Sequence, residues 1–346
     1  MTTDLQSADP QPSPLAGEAQ LAALLRAAGI AALDSGWIRV TGEDRLRWLN
    51  GMVTNSIPQL APGEGCYNFV LNAQGRIQGD LIAFAPESGQ PDALQLETSR
   101  DQVEKLVAYL NHFIIMDDVE LAEISVERRG LRLDGPQAAG LLQQIGLPAP
   151  SLAPMQMQTA TWHGSPVVTL HAHSPLVPRF ELWAGSATIA ALTADLIAAG
   201  AIPVSHEALE QLRILEGTPR YGSDIRNTET AHDLPQETGQ TRALHFTKGC
   251  YLGQEIVERI HSRGAVHRAF RGFLLSGVLP TTGTLLEADG KPVAELTSVA
   301  SIPLVDRATP LQLALGIIRR EALERSLSLT YPGGTATPVA LPYEVP

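Results

Sequence analysis

Cysteine is scarce: Cys66 and Cys250 are the only two in 346 residues. They lie far apart, which excludes a disulfide framework and points to a reducing compartment, so a cytoplasmic location is expected. Basic side chains are also in short supply, with 25 Lys and Arg against 37 Asp and Glu and a net charge of -12. That balance excludes broad nucleic-acid binding, which needs many phosphate-neutralising groups. It leaves room for a small basic pocket for an anionic ligand. No apolar run escapes charge or proline long enough to span a bilayer, and no basic start followed by an apolar stretch marks a signal peptide. No membrane partner is therefore expected. Phosphate-loop spacing and a dinucleotide fingerprint are both missing. His171 and His173 share one face of a strand but lack evident further ligands, so no metal site is expected.

Apolar residues make up 44% of the chain, enough for a sizeable core in two or three domains. The opening stretch, rich in Pro, Ser and Gln, predicts a disordered lead-in over residues 1–19. An internal echo then organises the chain. "WIRVTGEDRLRWLNGM" (Trp37 to Met52) and "GLRLDGPQAAGLLQQI" (Gly130 to Ile145) both read as strand, Gly turn and short helix. Gly42 matches Gly135, Trp48 matches Leu141, and Leu49 matches Leu142. "CYNFVLN" and "RIQGDLIAF", joined by "AQG", predict a β-hairpin. Ser99 and Gln102 fit a capping box ahead of a helix with Val103, Leu106, Val107 and Leu110 on one stripe. "SPVVTLHAH" and "RFELWAG" predict strands, followed by a helix ending at Gly200 and another after Ser205.

Two related α+β units are expected, over residues 20–124 and 125–265, packed about a pseudo-twofold axis. From residue 266 to 346 the pattern changes to short strands between Gly and Pro turns, with "ADGK" as a hairpin turn. That predicts a small C-terminal β-barrel.

The chemistry-bearing residues concentrate in "FTKGCYLGQEIVERIHSRG" (Phe246 to Gly264). Cys250 is either a small packed hydrophobe or a thiol activated by the Lys248 charge and by a helix start near Gly253. Glu255 and Arg259 share a helix face, either as a surface ion pair or, with Lys248 and Gln254, as a polar cluster. Asp80 interrupts an apolar strand. It stands at an exposed hairpin edge or in a pocket, where its two oxygens match paired N–H donors of an amino-pyrimidine ring.

The segment "KGCYLGQEIVERIHSRG" resembles the signature of the YgfZ family of folate-binding proteins. These are relatives of the glycine-cleavage T protein and are tied to iron–sulfur cluster maintenance. The matching positions are Lys248, Gly249, Cys250, Tyr251, Gly253, Gln254, Glu255, Arg259, Arg263 and Gly264. Tyr67, Asn72, Gly75 and Asp80 match the family's folate-domain hairpin. The resemblance implies the α+β T-protein fold, with two α+β units around a folate channel and a C-terminal barrel. It implies tetrahydrofolate or a one-carbon derivative as cofactor, held by Asp80, Tyr67, Asn72, Gln254, Glu255 and Arg259. Cys250 would be the functional thiol and Lys248 its charge partner. The implied partners are reduced folate and iron–sulfur client enzymes, including those that modify tRNA. Aminomethyl transfer in glycine cleavage is disfavoured. "LVPRFE" keeps only Phe180 and Glu181 of the acidic segment of the aminomethyltransferases, and Leu215 takes the place of a Glu, displaced here to Glu216. Two rival readings stand beside the accessory-protein reading. One is a folate-dependent one-carbon transferase in which Asp80 orients the folate amine. The other is a non-catalytic, folate-regulated adaptor in which Cys250 is structural.

Overall fold

The computed structural model describes residues 17–90, 92–147, 152–226, 242–263, 268–305 and 307–345. Most of the lead-in expected over residues 1–19 lies outside the described residues, and its last three open a helix. In chain order the elements begin with α1 (Gly17–Arg26), β1 (Gly29–Leu33), β2 (Ser35–Thr41), α2 (Arg45–Met52), β3 (Gly65–Leu71) and β4 (Ile77–Phe84). There follow β5 (Leu94–Ser99), α3 (Val103–Asn111), β6 (Glu120–Glu123), β7 (Arg129–Asp134), α4 (Ala138–Gln144), β8 (Met157–Trp162) and β9 (Ser165–Ala172). Next come β10 (Arg179–Ala184), α5 (Ser186–Ala198), β11 (Ile202–Pro203), α6 (His206–Glu216) and α7 (Gln254–Arg263). The last elements are β12 (Arg268–Gly277), β13 (Leu285–Ala288), β14 (Lys291–Ile302), β15 (Leu311–Arg319), α8 (Arg320–Glu324), β16 (Leu329–Tyr331) and β17 (Gly334–Val339).

These elements form two compact units that are discontinuous in sequence. One holds residues 1–34, 127–212 and 303–307; the other holds 35–126, 213–302 and 308–346. The first unit is built on a sheet ordered β11-β1-β7-β10-β9-β8. Its core is Leu131, Leu133, Phe180 and Leu182 from the sheet, with Leu142, Leu192 and Leu196 from α4 and α5. Asp134 at the end of β7 is fully buried, and Arg132 Nε and Arg179 Nε each stand 2.7 Å from its oxygens. Burial alone would raise its carboxyl, but the two guanidinium charges win and bring it down to about 2.

The second unit holds a sheet ordered β3-β4-β5-β2-β6 and the closed barrel β12-β15-β14-β13-β16-β17. Ile38, Val40, Leu81, Leu94 and Leu96 pack against α3 through Val103, Leu106 and Leu110. In the barrel, Asp289 and Gly290 both take positive φ, 50° and 70°, so "ADGK" turns β13 into β14 as expected. The short β16 and α8 are additions to the barrel that the turn spacing did not reveal.

The echo is real at the level of hydrogen bonds. The Asp44 amide donates to Asp118 O, just ahead of β6, and the Gln137 amide donates to Ala27 O, just ahead of β1. In each sheet the order runs hairpin, fourth strand of the repeat, first strand, then an antiparallel neighbour. That neighbour is β6 in one case and β1 in the other. β1 precedes its repeat in sequence, which is why the "GIAAL" strand escapes a reading based on repeats alone.

Candidate functional site

β3 and β4 pair as a hairpin, with Tyr67 opposite Ile82 and Phe69 opposite Asp80, and buried positions alternate along β4. Asp80 is half-buried, not at an open edge. The Tyr67 hydroxyl donates to Asp80 Oδ2 at 2.6 Å, and Gln102 Nε2 donates to Oδ1 at 2.8 Å. Burial pushes the Asp80 carboxyl up, while the two donors and the charge of Arg242 pull it down; the net direction is upward. Burial and the adjacent carboxylate push the Tyr67 phenol well above its ordinary range, so it stays a donor. The Arg242 guanidinium lies 4.0 Å above the centre of the Tyr67 ring, a cation–π contact on the ring face.

The expected capping box takes a different form. Ser99 makes no side-chain cap, and residues Arg100–Gln102 form a tight 3-10 turn. The Gln102 amide instead donates to Ser99 Oγ at 2.7 Å and to Asp80. A capping pattern and a carboxylate-holding amide look the same in sequence, so the sequence does not mark Gln102 as part of the site.

Lys248 is not aimed at the Cys250 thiol. Its ammonium donates to three backbone carbonyls, Asn50 O, Val53 O and Asn55 O, each at 2.6 Å. That set uses all three of its donors. Burial lowers Lys248 to about 8, and the sulfur it acts on electrostatically is Cys66. The loop it ties down is itself a hub. The Thr54 hydroxyl donates to Ala243 O at 2.6 Å, and Asn55 Nδ2 donates to Arg242 O at 3.0 Å. The Asn55 amide donates to Asn68 Oδ1 at 2.8 Å. Lys248 thus fixes the loop that holds the backbone of Arg242 beside Tyr67. Backbone carbonyls leave no trace in sequence, and a single Arg in "TRALHF" gives no signal.

Helix α7 begins at Gln254, directly after Gly253, as the motif predicts. Gln254 Oε1 accepts from the Tyr251 amide at 3.3 Å, closing the first turn on itself. Asn72 Oδ1 accepts from the Gln74 and Arg76 amides at 3.0 and 2.9 Å. Its carboxamide oxygen therefore shapes the hairpin turn, and does not reach for a ligand. Glu255 and Arg259 are exposed on α7. Tyr251 is buried with Phe69, Leu71, Ile77 and Val257, and its hydroxyl has no hydrogen-bond partner among the described residues. Burial, with the nearby Glu258 charge, pushes that phenol up to about 12. Cys250 itself is exposed. Cys66 is pushed up to about 11 by burial, against the pull of an Asn68 hydrogen bond and of Lys248. The site residues brought together are therefore Asp80, Tyr67, Gln102 and Arg242, braced by Lys248 through the loop at Val53 to Ser56. Among the described residues no group of three or more His, Cys, Asp or Glu side chains is arranged to hold a metal ion. No helix among them is long and apolar enough to cross a membrane.

Fold and site together define a T-protein-type α+β molecule. Residues 18–248 match the GCVT N-terminal domain family, and the chain belongs to that family. At the level of this family the cofactor is tetrahydrofolate. A chloroplastic protein of Arabidopsis thaliana named as a transferase is 26% identical over 275 residues, covering 78% of this chain. The match spans 62% of that relative's own length. An aminomethyltransferase of Geobacillus kaustophilus is 27% identical over 292 residues, covering 80% of this chain and 76% of the relative. The crystal structure of the glycine cleavage system aminomethyltransferase T from Bartonella henselae superposes with a TM-score of 0.83 at 20% identity. It covers 97% of this chain and 91% of that one.

Proposed function

We propose that this protein binds a reduced folate, tetrahydrofolate or a one-carbon derivative, at Asp80, and that it acts as an accessory protein in assembly or repair of iron–sulfur clusters. The observation that carries the binding reading is the Asp80 carboxylate. Each of its oxygens accepts one bond from the protein, from Tyr67 and from Gln102. An ionised carboxylate has about four acceptor positions, so each oxygen keeps capacity for a further donor. The amino-pyrimidine edge of a pterin offers two parallel N–H donors that match them. The Arg242 guanidinium above Tyr67 adds positive charge at the same place, suited to an anionic ligand.

The iron–sulfur part of the reading is supported by the exposed Cys250 within the Lys-Gly-Cys-Tyr motif. A thiol open to solvent is available to a client protein. One observation favours a second reading, a folate-dependent one-carbon transferase. Asp80 is pushed upward in pKa, toward the range of a group that takes a proton from a folate amine.

The two are separated in cells that lack the protein, by measuring a radical iron–sulfur tRNA-modifying enzyme after complementation. The accessory reading expects Cys250→Ala to fail while the same variant still binds tetrahydrofolate in vitro. Full complementation by Cys250→Ala contradicts it. Turnover of an aminomethyl- or methyl-folate by the purified protein favours the transferase.

A further inference from the structure

We infer that Gln102 is a positioning residue that fixes the Asp80 carboxylate in its ligand-binding orientation. The inference rests on the folate reading of the site and adds a residue to it. The Gln102 carboxamide grips Asp80 at two points. Its Oε1 accepts from the Asp80 backbone amide at 3.2 Å, and its Nε2 donates to Asp80 Oδ1 at 2.8 Å. One planar group thus bridges the main chain and side chain of the same residue, which restricts the side-chain torsions of Asp80. Ser99 Oγ accepts the other amide proton at 2.7 Å and fixes the carboxamide in turn. The Thr98 hydroxyl donates to Asp80 O at 2.8 Å, so the backbone of Asp80 is held from the neighbouring strand as well.

The rest of the fold makes room for this arrangement. A Cβ built on Gly79 would stand 2.9 Å from Gln102 Oε1 and 2.7 Å from Leu106 Cδ2, so a side chain on the residue before Asp80 would push the carboxamide or Leu106 aside. Gln102 is itself buried, 6% exposed. A buried amide with both ends engaged is costly to misplace, because each end left unpaired loses its full hydrogen bond. The charged and titratable groups that act on Asp80 are Tyr67 from β3 and Arg242 ahead of the Lys248 motif. Tyr67 and Gln102 use one acceptor position on each oxygen, which leaves the remaining positions pointing in a defined direction. Without Gln102 the carboxylate turns about its own bond, and one of the two donors that favour its charged form is lost.

The test is calorimetry of tetrahydrofolate binding to the full chain from about pH 4 to pH 8, with thermal denaturation of every variant. Gln102→Met keeps the volume and removes both contacts. It should bind about tenfold more weakly, and the pH at which binding is lost on acidification should move upward, because a less stabilised carboxylate protonates earlier. Gln102→Glu keeps the acceptor for the Asp80 amide and sets a second carboxyl against Asp80. It should weaken binding further and move the acid limb further up. It also carries the test alone if the Met variant fails to fold. Unchanged affinity and an unchanged acid limb in a folded Gln102 variant overturn the inference, whatever its melting temperature. Asp80→Asn distinguishes the two layers. If it binds as well as wild type, the folate reading fails and this inference with it. If it binds poorly while the Gln102 variants bind normally, only this inference fails.

Discussion

Gly253 and Gly75 stand back to back. A Cβ built on Gly253, whose φ is +83°, would lie 3.2 Å from Gly75 Cα and 2.6 Å from Asn72 O. The turn of the β3–β4 hairpin and the start of α7 touch backbone to backbone, and this contact seats the motif helix on the strands that carry Tyr67 and Asp80.

Gly253→Ala should therefore cost about 2 kcal/mol or more, from overpacking against a main-chain carbonyl added to a left-handed backbone. Urea denaturation measures it. A loss within a few tenths of a kcal/mol would mean that α7 is free to shift away from the hairpin.

Lys248→Met leaves three carbonyls without their charged donor and should destabilise the chain by about 2 kcal/mol. It should also weaken tetrahydrofolate binding, because the loop that holds Arg242 loosens. The wild-type lysine has a pH signature. Its folded value of about 8 lies below its ordinary 10.5. The unfolded chain then binds more protons between those values, so this group makes the fold more stable as pH rises across that window. The Met variant should lack that contribution in a pH series of melting curves, and an identical pH series would show that Lys248 titrates normally.

The two thiols should separate cleanly in native protein. With its value near 11, Cys66 is ionised at pH 8 in only about one molecule in a thousand. Cys250 is exposed, so an alkylating agent should label it first, as peptide mass spectrometry would record. Preferential labelling of Cys66 would contradict the burial described.

In the first unit, Asp134 is lowered from 3.8 to about 2 by Arg132 and Arg179. A carboxyl depressed in the folded state contributes stability above its unfolded value, and that contribution is lost as pH falls through about 2. The size is about 2 kcal/mol. Arg179→Ala should thus be clearly less stable than wild type at neutral pH, with the gap closing in strong acid. A gap independent of pH would assign the loss to packing.

Much of the fold could be read from patterns that each element repeats along its length. The β3–β4 hairpin shows two apolar-rich runs joined by a Gly turn, α3 shows its stripe, and the barrel shows short strands between Gly and Pro turns. β1 leaves little trace because it is short and pairs with β7 and β11, both distant in sequence. At the site, Asp80 stood out as a charge inside an apolar strand, and Tyr67 lay on the same hairpin. Lys248 stands near Cys250 in sequence, yet its partners are main-chain oxygens that any residue supplies. Adjacent positions in a loop need not point the same way, and here they do not. Gln102 and Arg242 reach Asp80 and Tyr67 across the fold, a relation that sequence separation conceals.

The most direct measurement is tetrahydrofolate affinity by calorimetry for wild type and Asp80→Asn, which keeps the shape of the side chain and removes its charge. A charge-assisted contact contributes about 1.5–3 kcal/mol, so the variant should bind at least tenfold more weakly while remaining folded. Equal affinity for the two proteins would contradict the assignment of Asp80 as the folate-binding carboxylate.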